Sequence, residues 1–259
     1  MGAASSERKV KRVKGGSVRT ETASIVREVP ISVYLNGAEY AVLMATPTDV
    51  TALAIGFLLG EGAITEATVI DGIKVDRREW IVYVSLSGEF DSTRKRGLVT
   101  SGCAAVALFK GAFELAGVRR VRSRLRLSAN EVRKLVSRMI SRCDTYQRTG
   151  GIHSAVIAGR DGIHLFAEDV GRHNAVDKVI GLAHDMKDFE TKDKLLLCTG
   201  RISSEILVKA ARAGIPVVVS RTSPTDLSVR LAGKLGITLA GFVRGGNVSI
   251  YSGMQRITD

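Results

Sequence analysis

Apolar residues recur along this chain at two periods, and the way these periods are mixed divides it into two parts. In the first part, runs at 31–35 and 40–44 flank Asn36-Gly37. That pattern predicts a β-hairpin, because the dipeptide readily adopts the positive φ angles of a tight turn. Thr46-Pro47-Thr48-Asp49 predicts a helix start with Thr46 or Thr48 as its cap, and Leu53, Ala54, Phe57 and Leu58 carry the helix to Gly60-Glu61-Gly62. Short strands are expected at 73–75 and 80–84, and Thr100-Ser101-Gly102-Cys103 opens an apolar helix through Val106, Phe109 and Phe113. In the second part a helix over 129–142 precedes a strand at 152–157, a turn at Arg160-Asp161-Gly162 and a strand at 163–167. A helix from Asn174, a strand at 195–198 and a helix from Ser203 follow, the last halted by Gly214-Ile215-Pro216. A strand at 217–219, a helix from Ser223-Pro224-Thr225-Asp226 to Gly236 and a strand at 237–242 complete the series.

Strands that alternate with helices predict a largely parallel sheet. The expected fold class is therefore α/β with two domains: a basic, disordered tail over 1–19, a small N-terminal α+β domain over 20–128 that carries the Cys103 loop, and a larger α/β domain over 129–259. The boundary is placed where 118–127 turns basic and loses its periodicity.

Composition narrows the class. The chain is 45% hydrophobic with 27 glycines and 4 prolines, which is the balance of a folded protein. Its longest apolar run, 52–60, is far shorter than the roughly 20 residues that a bilayer needs. The first residues hold no apolar leader, and three cysteines do not make a disulfide framework, so a cytoplasmic protein without a membrane partner is expected. The net charge of +12 is concentrated in the tail (Arg8, Lys9, Lys11, Arg12, Lys14, Arg19) and in a patch that includes Arg94, Lys95, Arg96, Arg119, Arg120, Arg122 and Arg124. It points to an anionic partner. Few aromatics interleave these cations, so a base-stacking nucleic-acid surface is not expected.

The densest chemistry lies on the strand-to-helix turn at 168–174, where Glu168, Asp169, Arg172, His173 and Asn174 crowd beside Gly171. A turn that needed only a cap would be served by Asp169 or Asn174 alone. The polar group therefore reads as ligand-facing, with a capped and solvated helix start as the plainer alternative. Ligands of open α/β sheets bind beyond the carboxyl ends of the strands. An arginine follows each of four successive predicted strands: Arg172, Arg201, Arg221 and Arg244. With Gly171, Gly200, Gly245 and Gly246 beside them, they suit a ligand carrying a pyrophosphate. His173 is a candidate proton carrier or hydrogen-bond donor, while His153, His164 and His184 read as structural or solvated. Cys103, at the first turn of a helix and near the basic patch, is the candidate nucleophile because both features favour its thiolate. Cys143 and Cys198 read as packed thiols. No cysteine or histidine spacing suggests a metal site.

The segment Glu168-Asp169-Val170-Gly171-Arg172-His173-Asn174-Ala175-Val176-Asp177-Lys178-Val179-Ile180-Gly181 resembles the signature of the formate dehydrogenase accessory sulfurtransferase family, FdhD. Gly56-Phe57-Leu58-Leu59-Gly60-Glu61-Gly62, Thr100-Ser101-Gly102-Cys103, Thr149-Gly150-Gly151-Ile152-His153, Gly200-Arg201-Ile202-Ser203-Ser204-Glu205 and Gly241-Phe242-Val243-Arg244 agree in the same order. The resemblance implies a homodimeric sulfur carrier whose larger domain has a cytidine-deaminase-like fold. It would take sulfane sulfur from a cysteine desulfurase and pass it to the bis-molybdopterin guanine dinucleotide form of the molybdenum or tungsten cofactor, for formate dehydrogenase. By the same resemblance Cys103 would carry the persulfide, and Phe242, Val243, Arg244, Gly245, Gly246 and Asn247 would contact the guanine dinucleotide. One departure stands out: many members carry a second cysteine three residues after the first, where this chain has Val106. A mechanism that exchanges two cysteines in that loop is therefore not expected. The competing reading is a chaperone that holds the cofactor without moving sulfur. A nucleobase deaminase is excluded, since zinc ligands and a proton-shuttling glutamate have no counterpart.

Overall fold

The computed structural model describes residues 3–87 and 118–259, together with the backbone of 97–99. Cys103 and the Thr100-Ser101-Gly102 segment lie outside the described residues, as do Arg94, Lys95 and Arg96 of the expected basic patch.

The first departure from expectation is at the N-terminus, where Ser5–Lys14 and the residues from Ser17 onward, within or next to the anticipated disordered tail over 1–19, form strands. β1 (Ser5–Lys14) and β2 (Ser17–Val26) pair antiparallel through ten successive partners. Their turn is Gly15-Gly16, both at positive φ, and β2 supplies the β-branched residues Val18, Thr20, Thr22, Ile25 and Val26 that a ladder favours. The charge run hid this pattern.

A five-stranded sheet follows, in the order β5 (Ile70–Asp76), β6 (Ile81–Leu86), β3 (Val29–Leu35), β4 (Ala38–Ala45) and β7 (Gly97–Val99). β3 and β4 form the predicted hairpin about Asn36-Gly37. Helix α1 (Val50–Glu61) is apolar nearly all round because it is covered on two sides, by this sheet and by a helix of the second part. The expected threonine cap is absent. Asp49, at φ 50°, is the N-cap and makes no side-chain cap bond, while Thr46 and Thr48 bond across to the second part.

The second part is built on a six-stranded sheet in the order β10 (Gly162–Asp169), β9 (His153–Gly159), β11 (Leu195–Cys198), β12 (Val217–Ser220), β13 (Thr238–Arg244) and β14 (Asn247–Ser252). The α/β class holds, but parallel pairing is confined to β11–β12–β13; the pairings that include β9 or β14 are antiparallel. Because β9 is antiparallel to both its neighbours, β10 points the same way as β11, β12 and β13.

Alternate residues of these strands feed two cores. Ile157, Leu196, Val218 and Leu239 face α4 (Arg172–Asp185), α5 (Ser204–Arg212) and α6 (Asp226–Leu235). Val156, Leu197, Val219 and Ala240 pack with Val132, Leu135, Val136 and Met139 of α2 (Ala129–Ser141) on the other side. Ser128 closes α2 with a complete capping box to Glu131. The short α3 (Asp144–Thr149) leads from α2 towards β9.

The stretch 118–128, expected to close the first domain, packs on the second. Val121 joins the core of α4 to α6 and donates its N–H to Leu235 at 2.8 Å, while β8 (Leu127–Ser128) pairs with β15 (Ile257–Thr258).

The two parts meet where α1 crosses α4. A Cβ on Gly56 would lie 1.7 Å from the Asp177 carbonyl oxygen, and one on Gly181 would lie 1.9 Å from that of Ala52. Only glycine permits this helix-to-helix approach.

Candidate functional site

The polar turn at 168–174 splits into an internal and an external group. Asp169 and Lys178 are both 0% exposed, with Lys178 Nζ 2.7 Å from Asp169 Oδ2. Asp169 also accepts from the backbone N–H of Thr46 at 3.0 Å, the N–H of Gly171 at 2.8 Å and the Asn174 amide at 3.0 Å. Lys178 donates to the carbonyl of Thr46, the hydroxyl of Thr48 and the carbonyl of Glu168, at 3.1, 3.1 and 3.0 Å. The Asn174 amide donates to the Met44 carbonyl at 2.9 Å, and Val170 N–H donates to the Thr46 hydroxyl at 3.1 Å. These bonds stitch the loop before α1 to the start of α4. Asp169 and Asn174, which read as ligand-facing in the sequence, belong instead to a satisfied buried network, as buried polar groups must.

A second buried pair starts from Asp177, the residue next to Lys178 on α4. Lys209 Nζ reaches both oxygens of Asp177, at 2.7 and 2.6 Å, and lies 5.4 Å from the centre of the Phe57 ring. Burial pushes the Asp177 carboxyl up to about 7 against the opposing pull of Lys209.

Arg172 and His173 stay at the rim. His173 Nε2 lies 2.9 Å from the Ser203 hydroxyl and 3.1 Å from Glu205 Oε2. Burial, with the nearby charges of Lys209 and Arg172, pushes its pKa down to about 3, so at neutral pH the ring is neutral. The facing carboxylate assigns the proton to Nε2, which donates towards Glu205 and Ser203. His153, read as structural, is also at this edge, and burial and then the Arg172 guanidinium lower its pKa.

The common direction of β10 to β13 brings their carboxyl ends, and with them Arg172, Arg201, Arg221 and Arg244, to one edge of the sheet. Their loops are laced together. A Cβ on Gly200 would lie 3.0 Å from Cβ of Arg172 and 3.2 Å from Nδ1 of His153. The Ser220 hydroxyl donates to the Gly200 carbonyl at 2.6 Å, and Phe242 N–H donates to Thr222 at 2.9 Å.

Beside this edge is a cleft of about 530 Å³. Arg221, Val243, Arg244, Gly245 and Gly246 form one side, and Arg133, Val136, Ser137, Ile140 and Ser141 of α2, with Gln147 of α3, form the other. Thus Arg221 and Arg244 share a cleft, whereas Arg172, Arg201 and His173 lie outside its lining. Gly245 and Gly246 make a two-residue turn with φ 56° and 84°, which presents bare backbone at the lip. Phe242 is 37% exposed at φ 51°, a strained setting for an aromatic residue, and its ring centre lies 5.4 Å from the Arg244 guanidinium carbon. Asn247 is exposed at the start of β14. The α2 wall was missed by sequence reasoning. Arg133 and Ser137 sit on the polar side of an amphipathic helix, where a solvated face is the default reading, and only the Gly245-Gly246 turn hinted that something lay opposite.

The two described cysteines are packed, as expected. Cys198 is buried, and burial raises its thiol to about 12. Cys143 is also buried, with Sγ 3.2 Å from the Met139 carbonyl and 3.1 Å from the Ser154 hydroxyl, and burial again raises its pKa. Neither offers a ready thiolate. Among the described residues no three His, Cys, Asp or Glu side chains form a metal-ion cage.

Comparisons with known proteins agree with this arrangement. The FdhD/NarQ family profile matches residues 26–258. A protein of Staphylococcus aureus (strain MRSA252) named sulfur carrier protein FdhD is 35% identical over 254 residues, covering 96% of this chain and 94% of its own. Its counterpart of the same name in strain Newman is 36% identical over the same span. The crystal structure of a protein described as a formate dehydrogenase accessory protein, from Desulfotalea psychrophila, superposes with a TM-score of 0.81 at 24% identity, covering 98% of this chain and 100% of that one. That likeness establishes the fold over nearly the whole length, and with the family match it shows that this chain belongs to the FdhD/NarQ family.

Proposed function

We propose that this protein is a cytoplasmic sulfur carrier of formate dehydrogenase maturation. In this reading it accepts sulfane sulfur from a cysteine desulfurase as a Cys103 persulfide and delivers it to a molybdenum or tungsten cofactor of the bis-molybdopterin guanine dinucleotide type. The observation that carries the reading is the cleft at the carboxyl edge. Two guanidiniums from strand ends, an apolar floor and a glycine turn without side chains at the lip are what a nucleotide diphosphate requires. Its relatives' name, sulfur carrier protein FdhD, supplies the class of cargo. Dimer formation and contact with formate dehydrogenase belong to the same reading. No helix of the described residues is long and apolar enough to cross a membrane.

The chemistry needs one thiolate. Cys103 attacks the outer sulfur of the donor persulfide, the donor S–S bond breaks, and the donor cysteine leaves as its thiolate. Delivery of that sulfur as sulfide takes two electrons. Two external thiols balance it: they end as one disulfide, and Cys103 returns to its thiol. Val106 offers no internal thiol for this step, and Cys143 and Cys198 are too buried to serve.

Intact mass after incubation with a cysteine desulfurase and cysteine tests the proposal. Gain of one sulfur atom, removable by a reducing thiol, is the expected result. An unchanged mass would contradict sulfur transfer and favour a chaperone that only holds the nucleotide cofactor.

A further inference from the structure

We propose that α2 is the second wall of the nucleotide cleft and that Arg133 is its positioning residue. This rests on the reading of the cleft as a nucleotide site. Arg133 Nη1 donates to the carbonyl of Gly246 at 3.0 Å, between residues 113 positions apart in the chain. The bond ties the Gly245-Gly246 turn to the helix opposite. Both glycines have positive φ, and a Cβ at either would meet nothing within 4 Å. The β13–β14 pairing, with Arg244 opposite Asn247, holds the base of this turn, and the guanidinium of Arg133 fixes its tip against α2.

The same side chain completes the charge of the site. Arg133 comes from one wall, and Arg221 and Arg244 from the other, so three guanidiniums border the cleft over an apolar floor of Val136, Ile140 and Val243. A purine nucleoside diphosphate matches this layout, with its base on the floor and its diphosphate among the guanidiniums. Arg133 approaches a bound diphosphate from the side opposite Arg244 and holds the turn that carries Arg244.

Titration calorimetry with GDP on the full chain tests this, using wild type, Arg133→Ala, Arg133→Lys, Ser137→Trp and, as a control, Arg230→Ala. Arg230 pairs with Asp226 on the exposed face of α6, away from the cleft lining. Arg133→Ala should raise Kd about tenfold or more, with a shallower dependence of Kd on salt because one cation is gone. Arg133→Lys should recover part of that loss. Ser137→Trp, which fills the cleft without removing charge, should abolish binding, and Arg230→Ala should bind like wild type. Thermal midpoints within a degree or so of wild type would show that the surface variants fold. Wild-type affinity in Arg133→Ala overturns the role of Arg133, whatever Ser137→Trp does. Absence of GDP binding by the wild-type protein overturns this inference together with the nucleotide reading beneath it.

Discussion

Replacing Lys178 by methionine should destabilise both parts of the molecule together. The substitution keeps the length and the apolar stem but removes a charge that is 0% exposed and 2.7 Å from Asp169. Asp169 then keeps its hydrogen bonds from Thr46, Gly171 and Asn174 but loses its counter-ion, and the acceptors on Thr46, Thr48 and Glu168 lose a donor. Removing one partner from a buried pair destabilises by about 3–5 kcal/mol. For a chain of this size that is a fall in Tm of roughly 10 °C. Urea unfolding should be followed by circular dichroism and by fluorescence of Trp80, the single tryptophan, which packs on the small sheet's core. Both signals should move to lower urea together, because the network joins the Thr46 loop to α4. Asp169→Asn combined with Lys178→Met should regain part of the loss, since the stranded charge is gone and an acceptor remains. A loss below about 1 kcal/mol, against the several expected for a buried pair, would refute the reasoning. So would a shift seen by circular dichroism alone.

Other expectations follow from the same geometry. Gly181→Ala places a methyl 1.9 Å from the Ala52 carbonyl oxygen, so it should destabilise by about 1–3 kcal/mol or more, read as a drop in Tm; an unchanged Tm would mean that α1 and α4 can part without cost. His173 has its folded pKa depressed from 6.5 to about 3. Its contribution to stability is therefore present above pH 6.5 and is lost as the pH falls towards 3, at about 1.4 kcal/mol per pH unit. Compared with wild type, His173→Gln should show a flatter fall in urea midpoint between pH 7 and 5; parallel curves would contradict the buried, neutral imidazole. Arg244→Ala should weaken GDP binding by about 1.5–3 kcal/mol, the scale of a hydrogen bond to a charged group, and equal affinities by calorimetry would remove the β13–β14 turn from the site.

Much of the larger sheet can be read from the chain, because β11 and β12 are short uninterrupted apolar runs that only a doubly covered strand would carry. The caps at Ser203 and Thr225 are legible for a similar reason, being local in sequence. The roles of Thr46 and Thr48 are not local. Each looks like a helix cap beside Pro47, yet their partners, Val170 and Lys178, lie 124 and 130 residues away. Asp169 and Asn174 misled in the opposite sense, since polar groups on a turn look like ligand contacts until a partner surface buries them. The ribbon of β1 and β2 was obscured because in β1 the cations outnumber the apolar residues. The arginines after successive strands were informative because strand direction alone decides that their loops share an edge. Their division between the cleft (Arg221, Arg244) and its surroundings (Arg172, Arg201) depends on α2, whose polar face bears no distinguishing mark in the sequence.

Transfer of labelled sulfur from a cysteine desulfurase tests the central claim most directly, with wild type, Cys103→Ser, Cys143→Ser and Cys198→Ser compared and the labelled peptide mapped under non-reducing conditions. Cys143 and Cys198 are buried thiols with raised pKa values, so their serine variants should load sulfur as wild type does. Cys103→Ser should take up none, and the label in the other three proteins should map to the peptide containing Cys103. Label retained by Cys103→Ser, or a disulfide from Cys103 to Cys143 or Cys198 that transfer requires, would contradict a carrier that works through one cysteine.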